Sequence, residues 1–345
     1  MAAVRGTVEH GGAPRGWLEF SANLNPCGIP TAVRDAVARA DYGTYADLDA
    51  ADAERHLAAD AGVGAEHVLL TAGATEGLRL AITAFVAPGD RAIALGPTYG
   101  EFARLAGIRG ASFTELRSAP PAFDTPVDAL IGELERGGIT AALLCDPNNP
   151  TGTVLNASDV RRILAAADVQ THVVVDQSFS AFVNERVGVA ELVARPNVVL
   201  VRSLTKLLAA PGLRLGYVIA HPSAIASLRA VRDPWSAGAH ALAAALAASW
   251  RLDRDTRETV ARWRERLARS LAEEGFAPVP GEAPFVLARA AGAERIVRTL
   301  GARRIAVRWC ASFGLPDHIR VAVRPPAEQD VLLRALRDVR AGTRA

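Results

Sequence analysis

The chain has 345 residues, half of them apolar, with 39 Lys and Arg against 37 Asp and Glu and a formal net charge of +2. That length and apolar fraction support two domains with a sizeable core and no covalent staples. Arginines scattered among acids argue against a nucleic-acid stripe, and Cys27, Cys145 and Cys310, odd in number and without Cys-x-x-Cys spacing, argue against a disulfide framework or a zinc site.

At the N-terminus Arg5, Glu9 and His10 interrupt any apolar run of signal-peptide length. The most apolar helical stretch, 237–250, contains His240 and falls short of the ~20 residues a membrane span needs. A cytoplasmic protein with no membrane or nucleic-acid partner is expected. His10-Gly11-Gly12 opens a loop that ends at Phe20-Ser21-Ala22-Asn23-Leu24-Asn25-Pro26-Cys27-Gly28. This density of Asn, Pro and Gly favours turns, with side-chain amides free for backbone or ligand, so an entry loop and a ligand loop are both open. Residues 31–40 read as a short amphipathic helix on Val33 and Val37. Tyr42-Gly43-Thr44-Tyr45 follows, an aromatic pair that suits packing.

His67-Val68-Leu69-Leu70-Thr71 is a short buried-strand pattern, and Ala72-Gly73-Ala74-Thr75-Glu76-Gly77 turns it into a helix over 78–86. Small residues opening a helix present free N–H groups at its positive end, which suits a phosphate. Residues 91–95 form another strand, followed by Gly96-Pro97-Thr98-Tyr99-Gly100-Glu101-Phe102; an aromatic at a strand end can lie over a bound ring, and Phe102 reads as core. A strand over 141–145 leads into the rigid turn Asp146-Pro147-Asn148-Asn149-Pro150-Thr151-Gly152. The strand over 171–175 ends at Asp176, which is either a helix cap or a carboxylate set against a ligand's ring nitrogen.

Asn197-Val198-Val199-Leu200-Val201-Arg202 is a buried parallel strand, and Ser203-Leu204-Thr205-Lys206 leaves it toward Pro211-Gly212-Leu213-Arg214-Leu215-Gly216-Tyr217. Lys206 therefore stands at the rim where open α/β sheets bind ligands, and apolar surroundings there make a lysine nucleophilic toward carbonyls. Ser203 and Arg214 offer a hydroxyl and a guanidinium to an anion, phosphate above all. Beyond Pro222 long helices are expected over 223–232 and 237–274, then strands near 285–289, 305–309 and 319–323. Arg320 and Arg324, four apart in a strand, are expected on one face.

Ser203-x-x-Lys206 followed by Pro211-Gly212-Leu213-Arg214-Leu215-Gly216 resembles the cofactor-lysine segment of fold type I pyridoxal-phosphate enzymes. Among them the chain is most similar to threonine-phosphate decarboxylases and histidinol-phosphate aminotransferases. The resemblance implies an α/β fold with a mostly parallel central sheet and a smaller α+β C-terminal domain. Its division would be an N-terminal arm and helix (1–40) on the small domain, a large cofactor domain (41–234) and a small domain (235–345). It further implies pyridoxal 5'-phosphate linked to Lys206, with Asp176 at the pyridine nitrogen, Tyr99 stacked on the ring and Asn149 at the phenolic oxygen. Gly73, Ala74, Thr75, Ser203 and Arg214 would hold the phosphate. Tyr45 would cross to the partner's phosphate in a homodimer with shared active sites. His10, Gly11, Gly12, Asn23, Arg320 and Arg324 would bind substrate, Arg320 at its α-carboxylate and Arg324 at a second anion.

The sequence departs from the usual family pattern at Asp176-Gln177-Ser178-Phe179, where Glu-Ala-Phe or Glu-Ala-Tyr commonly follows the aspartate, and in a shortened 10–20 segment. The activity expected from the resemblance is decarboxylation of an anionic α-amino acid. The alternatives are aminotransfer of the histidinol-phosphate type, and elimination or carbon–carbon bond formation.

Overall fold

The structure, a computed structural model, describes residues 11–48, 50–249 and 251–341. Its centre is a seven-stranded sheet built from β2 (Val68–Thr71), β3 (Arg91–Gly96), β4 (Ser112–Arg117), β5 (Ala141–Cys145), β6 (His172–Asp176), β7 (Val198–Ser203) and β8 (Gly216–Ala220); the short β1 (Leu18–Glu19) precedes it in the chain. The order across the sheet is β2-β8-β7-β6-β5-β3-β4. All neighbours run parallel except β8, which is antiparallel to both β2 and β7.

β5, β7 and β8 are buried along their whole length, as continuous Val, Leu, Ile and Ala runs require when helices cover both faces. One face packs under helices Ala51–Ala61, Val127–Glu135 and Ala157–Ala166, and the other under Ala74–Phe85 and Pro222–Ala230. Phe102 is fully buried, as expected. β4 was not foreseen. Its Ser-Phe-Thr-Glu-Leu-Arg alternation is that of a half-exposed edge strand, without a buried-run signal.

The smaller unit contains the antiparallel sheet β12-β13-β10-β9, made of β9 (Ala277–Pro278), β10 (Phe285–Arg289), β12 (Arg308–Trp309) and β13 (His318–Ala322). β11 (Ile305–Ala306) pairs with β1 instead. Helices Arg254–Glu273, Ala293–Ala302 and Pro326–Ala341 pack here around Leu267, Leu271, Ile296, Leu300, Leu332 and Leu336.

Two expectations change. The helix expected over 237–274 is two helices, Ala239–Ala247 and Arg254–Glu273. The Asp253 carboxylate accepts the Thr256 N–H at 2.7 Å and starts the second one. The first buries Ala241, Ala244 and Ala245 in the core of the large unit, whereas the second buries Leu267 and Leu271 in the small one. Helix Thr31–Ala38, expected on the small domain, also packs through Val33 in the large core; within the arm, Phe20 belongs to the small one. Among the described residues no helix is long and apolar enough to cross a membrane, and no three His, Cys, Asp or Glu side chains could together hold a metal.

Candidate active site

The carboxyl ends of β2, β3, β5, β6 and β7 open into one cavity. At one side β2 turns through Gly73 into helix Ala74–Phe85, whose first N–H groups have no acceptor within the helix. Gly73 has φ +88°, and a Cβ there would come 2.8 Å from Arg214 Nη2, so the glycine lets a guanidinium close over the helix start. Gly216 serves the same joint from β8, since a Cβ on it would meet Ala74 N, Arg202 O and Gly73 C at 2.7 Å. Ser203 ends β7 beside them, its hydroxyl 2.7 Å from Thr205 Oγ1. Two segments distant in sequence thus present a helix dipole, a hydroxyl and a guanidinium to one anion.

Lys206 lies in the single-turn helix Leu204–Leu207 that follows β7, with its side chain in the cavity. Burial, then the nearby charges of Arg320 and Arg214, lower its pKa to about 8 against the pull of Asp176. The loop at 21–25 is tied to this helix, because Asn25 N donates to Lys206 O and Asn25 Nδ2 to Leu207 O, both at 2.9 Å. From this loop Ser21, Ala22 and Asn23 line the cavity. Gly11 lines it too, and Gly12 N donates to Ser21 Oγ at 2.8 Å. His10 lies outside the described residues.

Asp176 ends β6, buried, in register with Cys145 on β5. Its Oδ1 accepts both the backbone N–H of Ser178 at 2.9 Å and the Ser178 hydroxyl at 2.5 Å. Burial raises the carboxyl's pKa; the Ser178 bonds and the charge of Lys206 oppose that. Tyr99 faces the cavity from the end of β3 and hydrogen-bonds Thr75, and burial pushes its phenol up to about 12. In the turn after β5, Asn148 is consumed by structure, donating to Pro97 O at 3.0 Å and to Thr151 Oγ1 at 2.8 Å. Asn149 is left to the cavity, where its Oδ1 accepts from Arg320 Nη1.

Arg320 is buried on β13, with Nη2 donating to Ser21 O at 2.9 Å and Nε without a partner. Arg324 departs from expectation. β13 ends at Ala322, and the chain turns at Pro325 into helix Pro326–Ala341. Arg324 then pairs with Glu328 at 2.8 and 3.2 Å and does not line the cavity. The second cavity arginine is Arg308 on β12, which the sequence reading missed; it stands opposite Arg320 in the sheet register and donates to Ser312 Oγ at 2.7 Å. Its one signal was an arginine inside an otherwise apolar strand. Tyr45 is exposed, with its ring 4.8 Å from that of Trp235, and is not among the cavity residues of its own chain. Phe179 packs edge-on against Phe285 at 5.2 Å and brings no hydroxyl.

The cavity thus gathers Lys206, Arg214, Arg308 and Arg320 around one buried carboxylate, and two of its buried polar atoms, Asn23 Oδ1 and Arg320 Nε, have no partner. Such a donor set fits pyridoxal phosphate: an anion cradle, an aromatic face at Tyr99, a carboxylate for a ring nitrogen and an amine for an aldehyde.

The Aminotransferase class I and II family matches residues 15–336. A histidinol-phosphate aminotransferase of Symbiobacterium thermophilum is 34% identical over 326 residues, covering 93% of this chain and 90% of that protein. The crystal structure of histidinol-phosphate aminotransferase from Sinorhizobium meliloti, in complex with pyridoxal-5'-phosphate, superposes with a TM-score of 0.85 at 25% identity, over 93% of this chain and 90% of that one. The L-threonine-O-3-phosphate decarboxylase of Porphyromonas gingivalis shares the fold, with a TM-score of 0.76 at 24% identity over 92% and 100%.

Proposed function

The chain belongs to the class I and II aminotransferase family, and we propose that it is a pyridoxal-phosphate-dependent aminotransferase whose amino donor carries an anionic group, histidinol phosphate being the first candidate. The observation that carries this reading is the convergence of Lys206, Asp176 and Asn149 with the Gly73–Arg214–Ser203 anion cradle on one cavity. When bound, the cofactor supplies a sink for the electron pair released at the carbon bearing the substrate's amino group. The chain's residues do the rest. Ser203, Arg214 and the N–H groups of Ala74 and Thr75 would hold the phosphate, Tyr99 would face the ring, Asn149 would bond the phenolic oxygen and Asp176 would hold a proton at the ring nitrogen. The Lys206 amine, half neutral near pH 8, would hold the cofactor at its aldehyde and move the proton at the substrate's α-carbon. Arg320 and Arg308 would orient the substrate's anionic group.

The decarboxylase expectation loses ground to this alternative. The relative at 34% identity is an aminotransferase, while the decarboxylase neighbour at 24% speaks for the fold alone. Arg324, the arginine expected at a decarboxylase substrate's phosphate, is bound to Glu328. Phe179 favours the other branch, because it replaces the tyrosine that reaches the phenolic oxygen in the aminotransferases. A homodimer in the cytoplasm completes the reading, which the three free thiols Cys27, Cys145 and Cys310 suit. The test is to load the protein with pyridoxal phosphate and supply histidinol phosphate, threonine phosphate or a panel of amino acids, with and without 2-oxoglutarate. Amino-group transfer from histidinol phosphate supports the proposal; carbon dioxide from threonine phosphate moves the assignment to the decarboxylase.

A further inference from the structure

Ser178 stands where the resemblance leads one to expect an alanine, and it is the residue that the described hydrogen bonds of the Asp176 side chain converge on. The backbone N–H and the hydroxyl of Ser178 reach the same oxygen, Oδ1, at 2.9 and 2.5 Å. Both Asp176 and Ser178 line the cavity. The backbone bond alone is the ordinary Asx turn. The hydroxyl adds a second, charge-assisted donor to a buried carboxylate.

We propose that Ser178 is a positioning residue that keeps Asp176 ionised and fixes its carboxylate plane, so that the proton shared with the cofactor's ring nitrogen stays on the nitrogen. This rests on the cofactor reading given under Proposed function. Two effects oppose each other at Asp176. Burial favours the neutral acid, whereas the Ser178 bonds and the charge of Lys206 favour the carboxylate. The other titratable groups facing it, Tyr99 and Cys145, are themselves held neutral by burial and offer it no positive charge. Arg320 and Arg214 act on Lys206. The Ser178 hydroxyl is therefore one of few contributions holding the charge in place. Without it the proton moves toward the carboxyl, the ring withdraws electrons less strongly, and the nitrogen linking Lys206 to the cofactor becomes more basic.

The experiment compares wild type, Ser178→Ala and Ser178→Thr as cofactor-loaded proteins, reading the pH midpoint of the visible band of lysine-bound pyridoxal phosphate, kcat and KM. Ser178→Ala is expected to raise the midpoint by on the order of one unit and to lower kcat about tenfold with little change in KM. Ser178→Thr, which keeps the hydroxyl, restores both. A Ser178→Ala protein with the wild-type midpoint overturns the proposal, as does a kcat loss without a spectral shift, which marks a merely structural role. If wild type itself forms no visible band with pyridoxal phosphate, the cofactor reading fails, and this proposal with it.

Discussion

Arg308 and Arg320 stand directly opposite each other on the antiparallel strands β12 and β13, both buried and both facing the cavity. Directly opposed residues share a sheet face, so two positive charges meet there in a poorly solvated site. Burial first, and the neighbouring charge of Arg308 as well, draw the pKa of Arg320 down to about 10. Such a pair becomes favourable when an anion sits between or beside its members.

Arg308→Gln should therefore weaken an anionic substrate by about 1.5–3 kcal/mol, on the order of tenfold to a hundredfold in affinity. An analogue lacking that anion should be much less affected. Relief of like-charge repulsion should leave the melting temperature of the unliganded variant unchanged or higher. Arg324→Ala, which breaks only the contact with Glu328, should leave substrate discrimination as it was. Steady-state kinetics on the paired substrates check both variants, and a large loss confined to Arg324→Ala would contradict the arrangement seen here.

Lys206 has a pKa of about 8 when folded, against 10.5 when unperturbed. Between those values the unfolded chain binds more protons than the folded one, so the lysine's contribution to stability rises with pH across that window, and its full penalty is felt below it. In the cofactor-free protein Lys206→Met should remove on the order of 2–3 kcal/mol of that penalty at pH 7. The advantage should shrink as pH rises from about 8 and vanish above about 10. Denaturant melts at several pH values measure this. The rate of cofactor uptake by wild type should likewise climb through a midpoint near pH 8, as the neutral amine appears.

Most of this site was legible because its parts sit at strand ends with local signatures. Ser203, Lys206 and Arg214 follow one apolar run, Gly73 and Thr75 another, and Asp176 a third. Residues whose role depends on where a strand stops were not. Arg324 follows the expected two-residue period from Arg320, but β13 ends before it, and no periodicity marks that end. Arg308 enters the cavity only through its register with Arg320, a pairing that sequence spacing does not contain. The break at 248–253 was hidden because alanine-rich and arginine-rich helical stretches abut without proline or glycine, and Asp253 was the one sign of a restart.

Gly73 makes a sharper test of the anion cradle than its ligands do. At φ +88° any L-residue is strained by about 1–2 kcal/mol, and a Cβ would push Arg214 Nη2 away from the helix start. Gly73→Ala should lower affinity for pyridoxal phosphate by about tenfold or more, with a smaller loss of unliganded stability. Gly216→Ala should cost more unliganded stability and cofactor affinity as well, because its Cβ meets Ala74 N, Arg202 O and Gly73 C at 2.7 Å and both strand and helix start must move. Equilibrium dialysis against the cofactor, set beside thermal melts of the cofactor-free proteins, separates the two effects.

Tyr45 projects from the chain with 83% of its surface exposed, its ring tilted against that of the partly exposed Trp235. A large aromatic held out on a second aromatic is poorly served by water, and Tyr45 does not line its own chain's cavity; the expectation is that it completes a neighbouring subunit's site. Tyr45→Ala should then lower activity and cofactor affinity while leaving its own chain's Lys206 intact. Lys206→Ala should be inactive with its own Tyr45 intact. Co-refolding the two variants should restore activity above that of either alone, because a hybrid dimer contains one site with both a native lysine and a native tyrosine. Sedimentation should show a dimer for wild type under the assay conditions. A fully active monomer, or a mixture no more active than its parts despite verified hybrid formation, would overturn the shared site and confine the active centre to one chain.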